Sequence, residues 1–289
     1  MQTWLIFALT YAFLHALGTV FDKQVLKNHK IDPVVLSTIR FVFDVIFAYL
    51  IISALAIPIK GFNMSVIAIS ILYFFAAILF FYALNFGDVS KLIPYRDAIV
   101  VLLSFFLAVV FLSENFALRD FLGVIIIVIG GYIVWTDGKI IVPKNSPGLA
   151  LIAASGVFLA LNGVMVKSAV SGISPLALSF YMYALVALYF VLISFAFRRK
   201  EMLETINILR REKKIILPIF GASLTATVGI VLQFYALSMQ AAAKVLPISG
   251  TLPLFAALIG WLALKEKHGV ARVIGAVLLI IGIYILSIG

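Results

Sequence analysis

The chain has 289 residues, of which 64% are hydrophobic and 12% are charged, whereas soluble domains have about 45–50% apolar and 25% charged residues. This composition excludes an ordinary soluble protein and indicates one that lies mostly in lipid. Because the chain has no cysteine and only three histidines, disulfides are excluded and a metal site, a metalloenzyme or another cofactor is not expected. The net charge of +10 comes mainly from short loops between apolar runs, so we expect no nucleic-acid partner.

The apolar residues form ten runs, each of the length that crosses a bilayer. The first has no preceding basic region and no small-residue cleavage site, so we interpret it as a retained helix and not as a signal peptide. The predicted spans are Thr3–Phe21, Val34–Ala56, Ser65–Asn85, Lys91–Leu112, Leu118–Thr136, Pro147–Lys167, Pro175–Phe197, Ile215–Met239, Lys244–Leu264 and Val270–Ile288.

The longest polar insert, Arg198 to Lys214, predicts a short amphipathic helix on the membrane surface, with Met202, Ile206 and Leu209 opposite the charges. The loops on the same side as this insert contain about 16 lysines and arginines, against about 4 on the other side. Basic residues favour the cytoplasm, so this bias places both termini on the non-cytoplasmic side.

Two motifs occur twice at one offset of 153 residues. The sequence FYAL occurs at Phe81–Leu84 and again at Phe234–Leu237. Each copy is followed by Lys-x-x-Pro, at Lys91–Pro94 and at Lys244–Pro247. The repetition indicates an internal duplication, with units at residues 1–145 and 146–289. Five spans in each unit force opposite orientations, so we predict an all-α membrane protein of ten transmembrane helices in two inverted five-helix repeats, as in secondary transporters.

Further motifs recur around these. Arg40-Phe41 precedes the first FYAL, and Gly123 and Gly130-Gly131 lie in the fifth span. The remaining motifs are Leu112-Ser113-Glu114 at the end of the fourth span and, in the second unit, Pro247, Pro253, Leu264-Lys265-Glu266, Gly275 and Gly282. Together they resemble the EamA repeat of the drug/metabolite transporter superfamily.

The resemblance implies a ten-helix carrier that works by alternating access. It implies a central cavity lined mainly by the first, third, fourth, sixth, eighth and ninth helices. Members of the superfamily export amino acids and other metabolites, or exchange nucleotide sugars and phosphorylated sugars. The resemblance also implies cytoplasmic termini, the reverse of the orientation that the basic residues favour.

Charged residues inside the spans are the informative positions, because an ionisable group at membrane depth costs roughly 2.5–3.5 kcal/mol on insertion scales. Arg40 and Asp44 stand four residues apart, which predicts a pair on one face of the second helix. That pair either neutralises itself so that the helix inserts, or forms a gate or proton-coupled element that breaks when the carrier changes state.

Tyr95-Arg96-Asp97 follows Pro94 at the start of the fourth helix, where proline is expected to loosen the preceding turn. Adjacent residues point about 100° apart on a helix, so we expect no same-face pair between Arg96 and Asp97. Arg96 is a candidate ligand for an anionic substrate group, since guanidinium binds carboxylate or phosphate with two hydrogen bonds. The alternative is an ion pair from Arg96 to Asp88 or Asp44. Tyr95 is a further candidate substrate contact, and Asp97, like Asp44, is a candidate for proton coupling or gating.

Lys244, like Lys91, opens a helix, where it either extends to the membrane interface or faces the cavity beside the helix dipole. His15, Thr19 and Asp22 share one face of the first helix. His15 can titrate near neutral pH, which makes it a candidate for proton coupling, or it can be a packing residue.

Asn162 and Gln233 are uncharged polar candidates for binding a zwitterion or amide, or for bonding neighbouring helices. Tyr82 and Tyr235 occupy matching positions before the two hinges, so they are the favoured aromatic substrate contacts. Most other aromatic residues are expected to face lipid or the interface.

We predict a secondary transporter of a small organic metabolite, an amino acid or similar molecule with an anionic group, that can be coupled to protons. The alternatives are an exchanger of phosphorylated or nucleotide-linked sugars, and a lipid scramblase or channel. An enzyme is not expected, because no paired catalytic groups stand out. The predicted setting is the cell membrane, with efflux of the substrate and a monomer or homodimer in the lipid bilayer.

Overall fold

The computed structural model describes residues 2–28, 31–83, 86, 89–139, 147–264 and 270–288; the side chains of 23, 26–28, 89–94 and 260–264 lie outside that description. Ten of its helical spans are long and apolar enough to cross a membrane, as predicted. The five helices of the first repeat are Thr3–Asn28, Pro33–Ala54, Met64–Ala83, Val89–Leu112 and Leu118–Thr136.

The second repeat follows the same order, with one interrupted span. Its sixth, seventh, eighth and tenth spans are Pro147–Ala169, Pro175–Phe197, Ile216–Met239 and Val270–Ser287. The ninth span consists of Ala242–Val245, a 3₁₀ segment Leu246–Thr251 and Leu252–Leu264. The predicted amphipathic helix is present as the loop helix Arg199–Arg211. The first helix is longer than predicted because it continues beyond its apolar window to Asn28.

The second and seventh helices begin in the same way, as the repeat predicts. The Asp32 Oδ1 atom accepts hydrogen bonds from the backbone N–H groups of Val34 and Val35 at 2.9 and 3.1 Å. The Ser174 hydroxyl accepts one from the N–H of Ala177 at 3.2 Å. Each cap is followed by proline at the first helical position, where its missing N–H has no helical partner to lose.

The packing of the spans follows the two-fold symmetry of the repeat. The first span packs against the eighth and the third against the sixth, so each pair becomes the other when the repeats are exchanged. The second packs against the seventh and the fifth against the tenth, and these pairs exchange with themselves. The core is therefore shared between the repeats, and the two units are inverted with respect to each other.

Glycines bring the fifth and tenth helices into backbone contact. A Cβ atom on Gly130 would lie 2.9 Å from the Gly275 carbonyl oxygen, and one on Gly275 would lie 2.8 Å from that of Gly130. Gly123 and Gly282 form a second contact of the same kind. Small residues allow this close approach in membranes, where van der Waals packing replaces hydrophobic driving force.

The Lys-x-x-Pro motif opens the fourth and ninth spans, and of these two spans the ninth, in the second repeat, has an irregular segment. The fourth helix is continuous through Pro94. In the ninth span the six residues from Leu246 are 3₁₀, with backbone bonds over three residues, and two hydroxyl side chains also bond carbonyls of this segment. Ser249 Oγ donates to the Leu246 carbonyl and Thr251 Oγ1 to that of Ile248, both at 2.7 Å.

Candidate functional site

A cavity of about 480 Å³ lies between the two repeats. It is lined by the first, third, fourth, sixth, eighth and ninth spans, and also by the second, which the resemblance did not include. Its polar lining residues are Tyr11, His15, Thr19, Asp22, Arg40, Asp44, Tyr73, Arg96, Asp97, Ser104, Ser155, Asn162, Gln233 and Ser249.

The first helix contributes a stripe of four polar residues at helical spacing. His15, Thr19 and Asp22 share one face, as predicted, and Tyr11 extends that face by one turn. The Thr19 hydroxyl donates to the His15 carbonyl at 2.9 Å, and the Tyr11 and His15 rings lie 5.6 Å apart. Tyr11 was not among the predicted site residues, although its position four residues before His15 gives the signal.

The expected pair between Arg40 and Asp44 is not formed. Arg40 Nη1 instead donates to the Asp22 carboxylate of the first span, so the ion pair joins two helices. The arginine side chain is long enough to reach across the cavity wall, where Asp22 provides an acceptor. Asp44 remains close to Arg40, but its Oδ1 atom has no hydrogen-bond partner among the described residues.

Arg96 and Asp97 do pair, which the sequence argument excluded. Nε and Nη2 of Arg96 donate to Asp97 Oδ1 at 3.2 and 3.1 Å. The flexible arginine side chain bends round the helix, so the angle between adjacent Cβ atoms does not separate the charged groups. Arg96 Cζ also lies 4.6 Å from the centre of the Phe80 ring, a cation–π contact that fixes the guanidinium plane.

Asn162 and Gln233 border the cavity from the second repeat. Asn162 Nδ2 donates to the Ile69 carbonyl at 2.8 Å, which ties the sixth span to the third. Gln233 is hydrogen-bonded to the Tyr11 side chain, which ties the eighth span to the first. Both amides therefore hold helices of opposite repeats together at the cavity wall.

Four predicted substrate contacts lie elsewhere than in the described lining. Tyr95 bonds Tyr132 of the fifth span, and Tyr235 packs edge-on to Phe7 at 6.3 Å. Lys244 belongs to the short helical turn that opens the ninth span. Tyr82 is 37% exposed and bonds Arg198, and this hydrogen bond raises the pKa of Arg198, which also faces Asp32. Their predicted roles in binding remain predictions.

Predicted features at Leu84, Asp88 and Lys265-Glu266, and the side chain of Lys91, lie outside the described part of the chain.

Two charged side chains bond backbone groups of the turn between the eighth and ninth spans. The Glu114 carboxylate accepts from the N–H groups of Ala242 and Ala243 at 2.7 and 2.8 Å, capping the ninth span from the first repeat. Lys167 Nζ donates to the carbonyls of Leu237 and Gln240 at 2.7 and 2.8 Å. The turn between the eighth and ninth spans is therefore bound on both sides. Glu114 belongs to a motif noted in the sequence, but its partners could not be read from it.

The chain matches the model of the EamA-like transporter family over residues 2–136 and again over residues 146–288. A solved crystal structure aligns with 99% of this chain and 97% of its own, with a TM-score of 0.77 and 13% identity. At that identity the likeness shows the fold alone. None of the curated proteins compared with the chain matches it.

Proposed function

Since the chain belongs to the EamA-like transporter family, we propose that it is a secondary carrier that moves a small organic metabolite with an anionic group by alternating access. The observation that carries the proposal is the cavity between the repeats, which presents Arg96 to its interior. Its volume of about 480 Å³ lies within the range of roughly 300–1,000 Å³ that is usual for small-molecule sites.

Arg96 is the proposed ligand of the anionic group. Its guanidinium is oriented by Phe80 and bonds only one oxygen of Asp97, so N–H groups remain that can bind a carboxylate. A partly desolvated site strengthens such a charge-assisted bond.

The two repeats supply different chemistry to the cavity. The described charged lining residues all come from the first repeat, while the second supplies amides, hydroxyls and apolar side chains such as Asn162, Gln233 and Ser249. We therefore place the charged end of the substrate against the first repeat and its neutral end against the second. Rocking of the repeats then exposes the same site to each side in turn.

Coupling to protons is part of the proposal, with His15 as its first candidate. His15 borders the cavity one helical turn from Thr19, and its imidazole is the group that we propose exchanges the proton. Arg40, Asp44 and Asp97 are the further candidates for coupling or gating. The Arg40–Asp22 ion pair joins the first and second spans of one repeat, so as a gate it requires those two spans to move relative to each other. We place the carrier in the cell membrane with outward transport, and without an enzymatic step.

Exchange of phosphorylated sugars is less well supported by the cavity. Both arginines of its described lining already face a carboxylate, which leaves little positive charge for a phosphate dianion. A scramblase or channel remains testable by its kinetics, since neither saturates nor shows counterflow.

The test begins with purified protein and a library of small metabolites, scored by thermal stabilisation. Compounds that stabilise the protein are then assayed for counterflow in proteoliposomes. Arg96→Ala should abolish stabilisation by carboxylates, while Arg119→Ala, an exposed arginine outside the cavity lining, should leave it unchanged. Saturable counterflow supports a carrier, and flux that is linear in concentration overturns it. Uptake that ignores an imposed pH gradient overturns the proton coupling.

A further inference from the structure

The loop helix is held at the membrane surface by the spans on either side of it. Only Arg198 separates its first residue from the seventh span, and after Glu212 the 3₁₀ turn Lys213–Ile215 leads directly into the eighth. Two consecutive spans are joined at one face of the membrane, so both ends of the loop helix lie at that face. Its axis of about 20 Å therefore runs along the surface.

Exposed apolar residues next to the loop helix show how close the acyl chains come. Phe197 ends the seventh span and is 76% exposed, and Leu217, the second residue of the eighth, is 75% exposed. Large apolar side chains with this exposure at the end of a span require contact with lipid. Lipid therefore reaches both ends of the loop helix.

One side of the loop helix is covered by the protein itself. Thr205 is 2% exposed, and Ile208 and Leu209 pack against a small core cluster near the ends of the first, second and eighth spans. The buried members of that cluster are Val25, Ile31, Leu36, Ile215 and Ile219. These contacts fix which side of the loop helix faces the bundle.

A second stripe of the loop helix, which we call the outer stripe, consists of Arg199, Leu203, Ile206 and Arg210. Their spacing of four, three and four residues keeps them within about 60° of one another around the helix axis. Both arginines are exposed, Leu203 is 55% exposed and Ile206 is half-buried. At the membrane surface such a stripe presents apolar side chains to acyl chains and guanidiniums to headgroups.

The glutamates of the loop helix lie away from the outer stripe. Residues 198–214 contain seven lysines and arginines and three glutamates, so the segment is strongly basic. Glu201 pairs with Arg198 at 3.4 Å. Glu201 and Glu204 both lie more than about 100° around the axis from Arg199, on the sides that face the protein and the water. The outer stripe is therefore the basic edge of the helix that faces lipid.

We propose that the outer stripe binds anionic phospholipids of the surrounding leaflet. The guanidiniums of Arg199 and Arg210 each bind the phosphodiester of one lipid, since about 16 Å of helix separates them, and Leu203 and Ile206 contact the upper acyl chains. Phosphatidylglycerol is favoured over phosphatidylcholine, because the choline cation is repelled by this basic segment. The inference goes beyond the carrier function, since lipid binding requires no transport.

Lipid binding to the purified, delipidated protein in detergent tests the proposal. The probes are phosphatidylglycerol and phosphatidylcholine with the same acyl chains, titrated by native mass spectrometry and by thermal unfolding. Arg199→Gln combined with Arg210→Gln should weaken the binding of phosphatidylglycerol about 25-fold, since each basic residue near an anionic surface contributes about fivefold. Binding of phosphatidylcholine should change little.

Lys200→Gln combined with Arg211→Gln is the matched control, because it removes the same charge from exposed positions on the water-facing side of the same helix. It should retain the affinity for phosphatidylglycerol within about twofold. Leu203→Ser keeps both arginines and should also weaken lipid binding, because the stripe loses its main apolar contact. All these side chains are exposed, so unfolding without added lipid should be the same in every variant.

Four outcomes would overturn the inference. Equal losses in the two double variants would show that only net charge matters, and an unchanged affinity in Leu203→Ser would show that the stripe does not contact lipid. Equal stabilisation by inorganic phosphate would assign the arginines to a soluble anion. Destabilisation of the Arg199→Gln, Arg210→Gln protein without lipid would assign them to the fold. Saturable counterflow with no preference for phosphatidylglycerol would leave the carrier proposal intact, and lipid binding without counterflow would do the reverse.

Discussion

Arg40 forms its ion pair with Asp22 of the first span, and not with Asp44, which stands one turn away on its own helix. The pair therefore links two spans of one repeat at the cavity wall. It leaves the Asp44 Oδ1 atom without a hydrogen-bond partner among the described residues. A contact between helices can respond to their relative movement, whereas a contact within one helix cannot.

A double-mutant cycle tests that pairing. Arg40→Gln and Asp22→Asn should show a coupling free energy of about 1–3 kcal/mol, because removing either partner leaves the other buried charge uncompensated. The cycle of Arg40→Gln with Asp44→Asn should give a smaller value. Reversible unfolding in detergent gives the four stabilities of each cycle. Equal couplings in the two cycles would show that Arg40 is shared between the carboxylates.

The ring of Phe80 should matter for binding at Arg96, 4.6 Å away. Phe80→Leu keeps an apolar side chain but removes the cation–π contact, which is worth about 0.5–2 kcal/mol, so affinity for a carboxylate should fall by about 2- to 30-fold. Phe80→Tyr retains the ring face and should bind like the wild type. Thermal titration with 3-phenylpropanoate measures both variants. An unchanged affinity in the leucine variant would mean that Asp97 alone orients the guanidinium.

Glycine contacts predict a contrast between two substitutions. Gly130→Ala would place its Cβ 2.9 Å from both the Gly275 carbonyl oxygen and the Leu279 nitrogen, so the fifth and tenth helices must separate, at a cost of about 1–3 kcal/mol. Gly172→Ala has open space within 4 Å and should leave the unfolding free energy nearly unchanged. Thermal melting of both variants measures this difference in stability. If they melt alike, the helices separate without cost and the close packing does not stabilise the fold.

Much of this fold could be predicted from the sequence because lipid imposes strong constraints. Apolar runs of the right length fixed the ten spans, and the FYAL and Lys-x-x-Pro motifs revealed the duplication and hence the inversion. The N-caps at Asp32 and Ser174 depend on local chemistry alone, so they too can be predicted from the sequence.

Side-chain partners could not be predicted in the same way. Spacing along one helix suggested a pair between Arg40 and Asp44 and excluded one between Arg96 and Asp97, and both expectations were wrong. Long flexible side chains reach neighbours on other helices or bend round their own helix. Which partner they bind therefore depends on how the helices pack, and the spacing of residues along one helix does not give that information. Glu114 is a further instance, since its cap joins residues 128 positions apart.

The bonds of Glu114 predict how the turn between the eighth and ninth spans responds to a charge change. Glu114→Gln removes the charge that caps Ala242 and Ala243 and should lower stability by about 1–2 kcal/mol. It should also speed amide hydrogen exchange in residues 240–251, because those N–H groups lose an acceptor, while residues 33–54 of the second span stay protected.

Lys167→Met removes the donor to Leu237 and Gln240, and it should have less than its full effect when added to Glu114→Gln because both side chains hold one turn. Glu204→Gln, an exposed change in the loop helix, is the control and should exchange like the wild type. Additive effects of Glu114→Gln and Lys167→Met on stability, or unchanged exchange in residues 240–251, would show that these two charged side chains do not jointly hold the turn.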